Sequence, residues 1–312
     1  MKKHHSPSTI HHSPKLSVVL ATKNEEVNIV PCLASVKNIA DEIIVFDEAS
    51  TDKTKEIARK MGAKVYNYVH KKNFHETKQK AIEAATGDWI LQLDADEQVS
   101  PDLAKEIIEV INSSNDELLK RVLVREKNIN HQRLTINHFR LFIRQQRLIK
   151  KREGHLGKST GQVVAFFIPR RNFFLGKPLI YAGVYPDGVI RLIKRGKARL
   201  PGKSVHEVME VDGEVGWLFN DLEHHDSPTL NRYLERMNRY TDIKSQELQN
   251  SKTPTNLWYL FKYSFLLPVT YFLSLYIRHK GALDGMRGFI WSLFSSLHYP
   301  LSYFKYWQNM KS

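Results

Sequence analysis

Three groups of polar residues in this sequence have the types and spacing to do chemistry together. The stretch Trp89–Gln98, WILQLDADEQ, is an apolar run (Ile90, Leu91, Leu93) that ends in Asp94, Asp96 and Glu97. Two aspartates one residue apart can share one divalent cation, and such a cation can hold a diphosphate. Upstream, Thr22 to Glu26 (TKNEE) and Asp47 with Asp52 also follow short apolar runs. Strands that deliver carboxylates to their C-terminal ends put them where open α/β sheets bind ligands. A lone acidic tripeptide after a strand is most simply a solvated turn. Recurrence at three strand ends makes it a candidate site.

The elements that must position these residues can be read from periodicity. Leu16–Ala21 and Glu42–Asp47 are short, β-branched apolar runs that predict buried strands, and Lys64–Tyr68 predicts a third. Between them, apolar Val27, Val30, Leu33, Val36 and Ile39 recur at helical spacing, with Pro31 tolerated near the first turn. Ser50 or Thr51 is the expected cap of a second helix running through Met61 to a stop at Gly62. A third helix is expected over Asn73–Thr86, and Ser100–Pro101 opens a fourth with an N-cap and a Pro at N1. The β-α alternation without long loops predicts an α/β fold, a Rossmann-like, doubly wound and mostly parallel sheet. Neither G-x-G-x-x-G nor a Walker A sequence is present, so the usual dinucleotide and P-loop readings have no support.

Composition narrows the partners. The chain has 312 residues, a net charge of +14 and one cysteine, Cys32. A single cysteine excludes a disulfide framework and any Cys-based zinc site, and suits a reducing cytoplasm. The charge favours anionic partners such as nucleotides, phospholipid headgroups or nucleic acid. Residues 1–14 lack an apolar signal-peptide core and read as a disordered tail.

ATKNEEVNIVPCLASV, EIIVFDEASTDKT and FHETKQKAIEAATGDWILQLDADE occur in this order over residues 15–110. Together they resemble the nucleotide-sugar domain of family 2 inverting glycosyltransferases, the GT-A fold. That resemblance implies donor nucleotide contacts from Thr22, Glu25, Asp47 and Lys78. It implies that Asp94 and Asp96, the Asp-X-Asp pair, bind a metal (Mg²⁺ or Mn²⁺) and the diphosphate, with Gln98 a possible addition. Glu48 departs from the pattern, since the family more often has a small residue after the acid, and it adds a charge near the nucleotide.

Residues 111–162 read as a basic insertion: NSSND as a linker, then twelve Lys and Arg against two Glu over Lys120–Lys158. Two readings stand, a basic amphipathic element on a membrane or polyanionic acceptor, or a solvated arm. Residues 163–250 resume a strand-and-turn pattern from Val163–Pro169 onward and carry PRRNFFLG, GVYPDG, RL and VHE. This resembles the family's lipopolysaccharide-core and envelope-glycan branch. Transfer with inversion needs a base for the acceptor hydroxyl and positive charge for the departing diphosphate. The resemblance assigns Glu207 as first choice of base and Asp187 as second. It offers His206, Arg170, Arg171 and Arg191 for acceptor or phosphate contacts, and His224 as a further metal ligand. His224 and His225 are adjacent and point to opposite faces of any strand, so only one belongs to a site.

Thr229–Gln249 is an amphipathic helix, and residues 251–312 change character. Leu257–Ile277 is about the length of a membrane span but is interrupted by Lys262 and Pro268. Gly288–Phe304 is a second apolar, aromatic stretch, and RHKGALDGMR between them resembles the family's GxLDG signature. A simple spanning hairpin would put Arg278, Lys280 and Arg287 outside, against the positive-inside rule. In-plane or re-entrant helices on the cytoplasmic leaflet are therefore expected. The resulting expectation is a membrane-associated, metal-dependent inverting glycosyltransferase that uses a UDP-linked sugar and a lipid-linked or envelope glycan acceptor. Two rivals are a polyprenyl-phosphate glycosyltransferase and a nucleic-acid-binding protein. The second is disfavoured because the bases cluster in one stretch and no aromatic stacking platform accompanies them.

Overall fold

The computed structural model describes residues 13–70, 73–127, 147, 160–201 and 209–310. Within the first hundred residues the chain alternates as the periodicity demands: β1 (Leu16–Thr22), α1 (Ile29–Val36), β2 (Glu42–Asp47), α2 (Thr54–Lys60), β3 (Lys64–Asn67), α3 (Phe74–Glu83) and β4 (Trp89–Leu93). These strands pair in parallel in the order β3-β2-β1-β4. Val18 and Leu20 of β1 pack against α1, whereas Val19 joins Ile44, Ala81 and Ile90 on the opposite face. Burial on both faces explains why these strands read as continuous apolar runs rather than alternating ones.

The second half extends the same sheet with mixed polarity. After β5 (Glu97–Val99), α4 (Pro101–Asn112) and α5 (Asn115–Lys127) come β6 (Val163–Phe174), β7 (Lys177–Pro178), β8 (Asp187–Lys194), β9 (Ala198–Arg199), β10 (Glu210–Val211), β11 (Glu214–Trp217) and β12 (Leu222–Ser227). The sheet continues from β4 through β8, β6 and β12 to β5, and β4–β8, β8–β6 and β12–β5 are antiparallel. The expected parallel arrangement therefore holds for the first four strands, and beyond them parallel and antiparallel pairings mix. Gly188 is required where β8 passes Trp217, because a Cβ there would lie 2.4 Å from the indole.

Two local expectations differ from the structure. Helix α2 is not capped by Ser50 or Thr51; it starts at Thr54, whose N–H donates to Asp52 (3.0 Å), while the Ser50 hydroxyl donates back to Asp47. NSSND is not an extended linker, since α5 begins within it and packs on β6 and β11. Of the basic stretch, residues 128–146 and 148–159 lie outside the described residues.

The C-terminal part consists of α6 (Leu230–Asn250), α7 (Leu257–Arg278) and α8 (Gly285–Asn309). Lys262 and Pro268 do not break α7; a wide turn over Lys262–Leu266 absorbs the N–H that Pro268 lacks. With 22 residues, α7 is the one described helix long and apolar enough to cross a membrane. Gly288, Ser292, Ser296 and Pro300 form a small-residue row on α8. Gly288 must be glycine, because a Cβ would sit 1.8 Å from the Gly281 carbonyl oxygen. The turn between α7 and α8 is tied to the sheet domain. Asp284 accepts from the Tyr181 and Ile180 N–H groups, Ala182 N–H donates to His279 O (3.0 Å), and Arg287 Nε donates to Leu175 O (3.1 Å).

Candidate active site

The strand ends of the first half bring Thr22, Asp47 and Asp94 to one edge of the sheet. Thr22 and Asp47 are opposite one another in register and fully buried. Asp47 accepts from Thr22 Oγ1 (3.2 Å), Ser50 N (2.8 Å) and Ser50 Oγ (2.5 Å). Its neighbour Glu48 is also fully buried, taken up by His70 Nδ1 at 2.5 Å and by the Thr77 hydroxyl. Glu48 thus finds its hydrogen-bond partners within the domain. Glu25 accepts from Asn28 Nδ2 (2.6 Å) and lies 3.7 Å from Arg232 of α6. Burial, with Asp96 and Asp94 nearby, pushes the Glu25 carboxyl above its ordinary range.

The two aspartates of the DAD tripeptide are in different environments. Asp94 is clamped between Lys78 Nζ (2.5 Å) and Arg191 Nη2 (2.6 Å). Burial opposes its ionisation, but Arg191 and Lys78 outweigh that and hold the carboxyl well below the usual carboxylate range. Arg191 enters from β8, is 6% exposed, and also pairs with Glu97 (2.6 Å) and Gln92. Glu97 in turn accepts from the Asp94 N–H (2.9 Å) and lies 3.4 Å from Arg170.

Asp96 faces the second half of the sheet. Its Oδ2 is 3.6 Å from His224 Nε2, and its carbonyl accepts from the His225 N–H (2.8 Å). Against the opposing effect of burial, His224 holds the Asp96 carboxyl below its ordinary value. His224 Nδ1 is 2.6 Å from Asn172 Oδ1, its register partner on β6. An amide oxygen only accepts, so Nδ1–H donates to Asn172 and Nε2 is the ring nitrogen directed at Asp96. Asp226, two residues along β12 and on the same face, completes the group. Ligand atoms of Asp96, His224 and Asp226 all lie within 4.8 Å of one another. Two carboxylate oxygens and one imidazole nitrogen fit Mn²⁺, and Mg²⁺ with added water ligands.

Asp226 is absent from the sequence-derived set. Its signal was the i, i+2 spacing in EHHDS, which puts His224 and Asp226 on one strand face. By the same alternation His225 points away and stacks on Phe173 at 4.3 Å. Arg170 joins the site through Glu97 and Asp187 (Nε–Oδ2 3.0 Å), whereas Arg171 projects to the other face and pairs with Asp221. Asp221 also accepts from Tyr185 Oη (2.7 Å). Gln98 is on β5, whose Glu97 turns inward. Glu207 and His206 lie outside the described residues.

Residues 17–172 match the family model described as Glycosyl transferase family 2. An uncharacterized glycosyltransferase of Rickettsia bellii is 46% identical over 108 residues, covering 33% of this chain and 35% of that protein. The chain thus aligns with about a third of the length of that relative. The lipopolysaccharide core biosynthesis glycosyltransferase LpsC of Rhizobium meliloti is 24% identical over 301 residues, 94% of this chain and 92% of its own. Among solved structures, mannosyltransferase PcManGT from Pyrobaculum calidifontis, in complex with GDP-Man and Mn²⁺, superposes over 96% of this chain and 88% of that one. Its identity is 13% and its TM-score 0.45.

Proposed function

The chain belongs to glycosyl transferase family 2, and from that premise we propose that it is a metal-dependent inverting enzyme. It moves a sugar from a nucleoside diphosphate donor, UDP-linked, to a hydroxyl of a lipid-linked or envelope glycan. The observation that carries this reading is the convergence of Asp96, His224 and Asp226 beside the half-buried Asp94. A divalent cation held there supplies Lewis-acid stabilisation of the departing diphosphate. Thr22, Glu25 and Asp47 line the nucleoside end of the edge, and Lys78 places positive charge beside Asp94 for the phosphates. Arg170 sets the position of Asp187. As it attacks from the side opposite the nucleotide, the acceptor hydroxyl gives its proton to a carboxylate, for which the family resemblance nominates Glu207 first and Asp187 second.

The similarity to LpsC supports an envelope-glycan acceptor. The test is release of UDP from a panel of nucleotide sugars with Mn²⁺, comparing wild type with Asp96→Ala. One donor hydrolysed slowly by the wild type and not by the variant fixes the reaction class. No binding to any donor, with or without metal, removes this reading.

We propose attachment at the cytoplasmic face of the membrane, and the C-terminal helices support a peripheral mode. The turn after α7 is bonded to residues 175–182, and the segment before it gives its Thr253 and Pro254 carbonyls to Tyr306 and Tyr303 of α8. Both ends of α7 are therefore held by the same body, so the helix lies along it rather than leading away. Phe265 (60% exposed) and Ile277 (65% exposed) mark its outward apolar side. An in-plane helix is released from vesicles by alkaline carbonate, whereas a span stays in the pellet.

A further inference from the structure

Between α6, α7 and α8 lies an open cavity of about 260 Å³ that the transfer machinery does not use. Trp291 and Phe294 of α8 supply flat apolar wall. Around them stand Tyr240 of α6, Tyr271 of α7 and Tyr299 of α8, with His298 and Ser295. Among the described residues, the hydroxyls of Tyr240, Tyr271 and Tyr299 and the ring nitrogens of His298 have no hydrogen-bond partner. Burial holds the His298 imidazole below its ordinary value, so the ring is neutral near pH 7 and offers one donor and one acceptor.

Helix α6 connects this cavity to the cation cluster. Arg236 lines the cavity and is also the ion-pair partner of Asp226. One turn earlier on the same side, Arg232 reaches Glu25 at the donor edge. A group bound in the cavity is therefore one side chain away from the residues proposed to hold the donor diphosphate.

The lining selects the class of occupant. A methylene chain would cover three phenols and an imidazole without offering any of them a hydrogen bond, which is costly. The volume is below the roughly 300–1,000 Å³ of sites for drug-sized ligands, which favours a small occupant. A single pyranose suits both features. Its C–H face meets the electron-rich faces of aromatic rings, and its hydroxyls reach the phenols, His298 and Arg236. We propose that the cavity between α6, α7 and α8 is a monosaccharide subsite that holds a sugar residue of the acceptor glycan. Its assignment to the acceptor rests on the transferase reading; its capacity to bind a sugar does not.

The full-length protein is titrated with a panel of methyl hexosides, with Trp291 in the wall as the fluorescent reporter. Saturable change is expected with at least one glycoside, and it disappears in Trp291→Phe. Ser295→Phe, which fills the space, weakens the affinity at least tenfold. Tyr299→Phe keeps the ring and removes one hydroxyl, so it weakens binding severalfold and covers the case in which Ser295→Phe fails to fold. Calorimetry with UDP-glucose and Mn²⁺ on the same proteins reads the donor site, which these variants leave unchanged. No response to any glycoside in the wild type overturns the proposal, as does wild-type affinity in Ser295→Phe or, if that variant does not fold, in Tyr299→Phe. Glycoside binding without any nucleotide-sugar binding keeps the sugar site and removes the transferase reading instead.

Discussion

Asp94 and Asp96 are two residues apart in one tripeptide, yet they belong to different kinds of environment. Asp94 is surrounded by the cations Lys78 and Arg191, and its region is a closed network of Gln92, Glu97 and Arg170. Asp96 faces one histidine and a second carboxylate, and the network around it leaves the centre open. The first arrangement is electrostatically satisfied within the chain. The second places two acids beside one histidine with a single cation, Arg236 on Asp226, so its negative charge is less fully matched and suits an added cation. The lesson is that the two acids of the DAD tripeptide serve different contacts, Asp94 joining the two halves of the sheet and Asp96 facing His224 and Asp226.

Substitutions at these residues separate the two environments. Replacing Asp96 with Ala is expected to have the largest effect, a loss of UDP release on the order of 10²–10³-fold together with weakened Mn²⁺ binding in calorimetry. The fold should remain intact; a variant that binds Mn²⁺ like wild type would place the cation elsewhere. Arg191→Met acts on the other side of the contrast. It leaves the buried Glu97 and the half-buried Asp94 without their shared cation, so urea unfolding should show a stability loss of about 3 kcal/mol. Unchanged stability with lost activity would instead make Arg191 a substrate contact.

Asp226→Asn should weaken Mn²⁺ binding by about 10–100-fold, because it removes one charged ligand while keeping the Asn172–His224 contact. An unchanged Mn²⁺ affinity would limit the cation group to Asp96 and His224.

The smallest effect is expected far from the site, at the N-terminal ends of the same strands. Burial opposes ionisation of Glu42, but Ser17, Thr86 and Lys64 donate to it and bring its pKa down to about 2. A carboxyl lowered in the folded state stabilises above its unfolded value and loses that contribution as pH falls toward the folded one. Wild type should therefore lose stability between about pH 4.5 and 2, and Glu42→Gln should flatten that limb. An acid limb that does not change in the variant would show that other carboxyls govern it.

Much of the first half was legible because its signals are local. The strand over Glu42–Asp47 and the Ser100–Pro101 helix start follow from apolar runs, caps and proline, which act within a few residues. Helix α2 was misread at its start because Ser50 had two partners to choose from. Only the folded chain shows that its hydroxyl serves Asp47 while Asp52 takes the helix N-terminus. Arg170 and Arg171 looked equivalent in sequence, and strand alternation sends one to Asp187 and the other to Asp221.

Sequence by itself determined the α/β alternation, the acidic strand ends and the apolar C-terminal helices, because period, propensity and charge are properties of short stretches. Tertiary structure decided the rest. The antiparallel insertion of β8 brought Arg191 to Asp94, and the parallel register of β12 on β6 set His224 against Asn172. Docking of α6 placed Arg236 on Asp226. These contacts join residues separated by up to about a hundred positions, such as Asp94 and Arg191 at 97 apart. Such pairs form only when sheet pairing brings distant strands into register, so no local pattern could announce them.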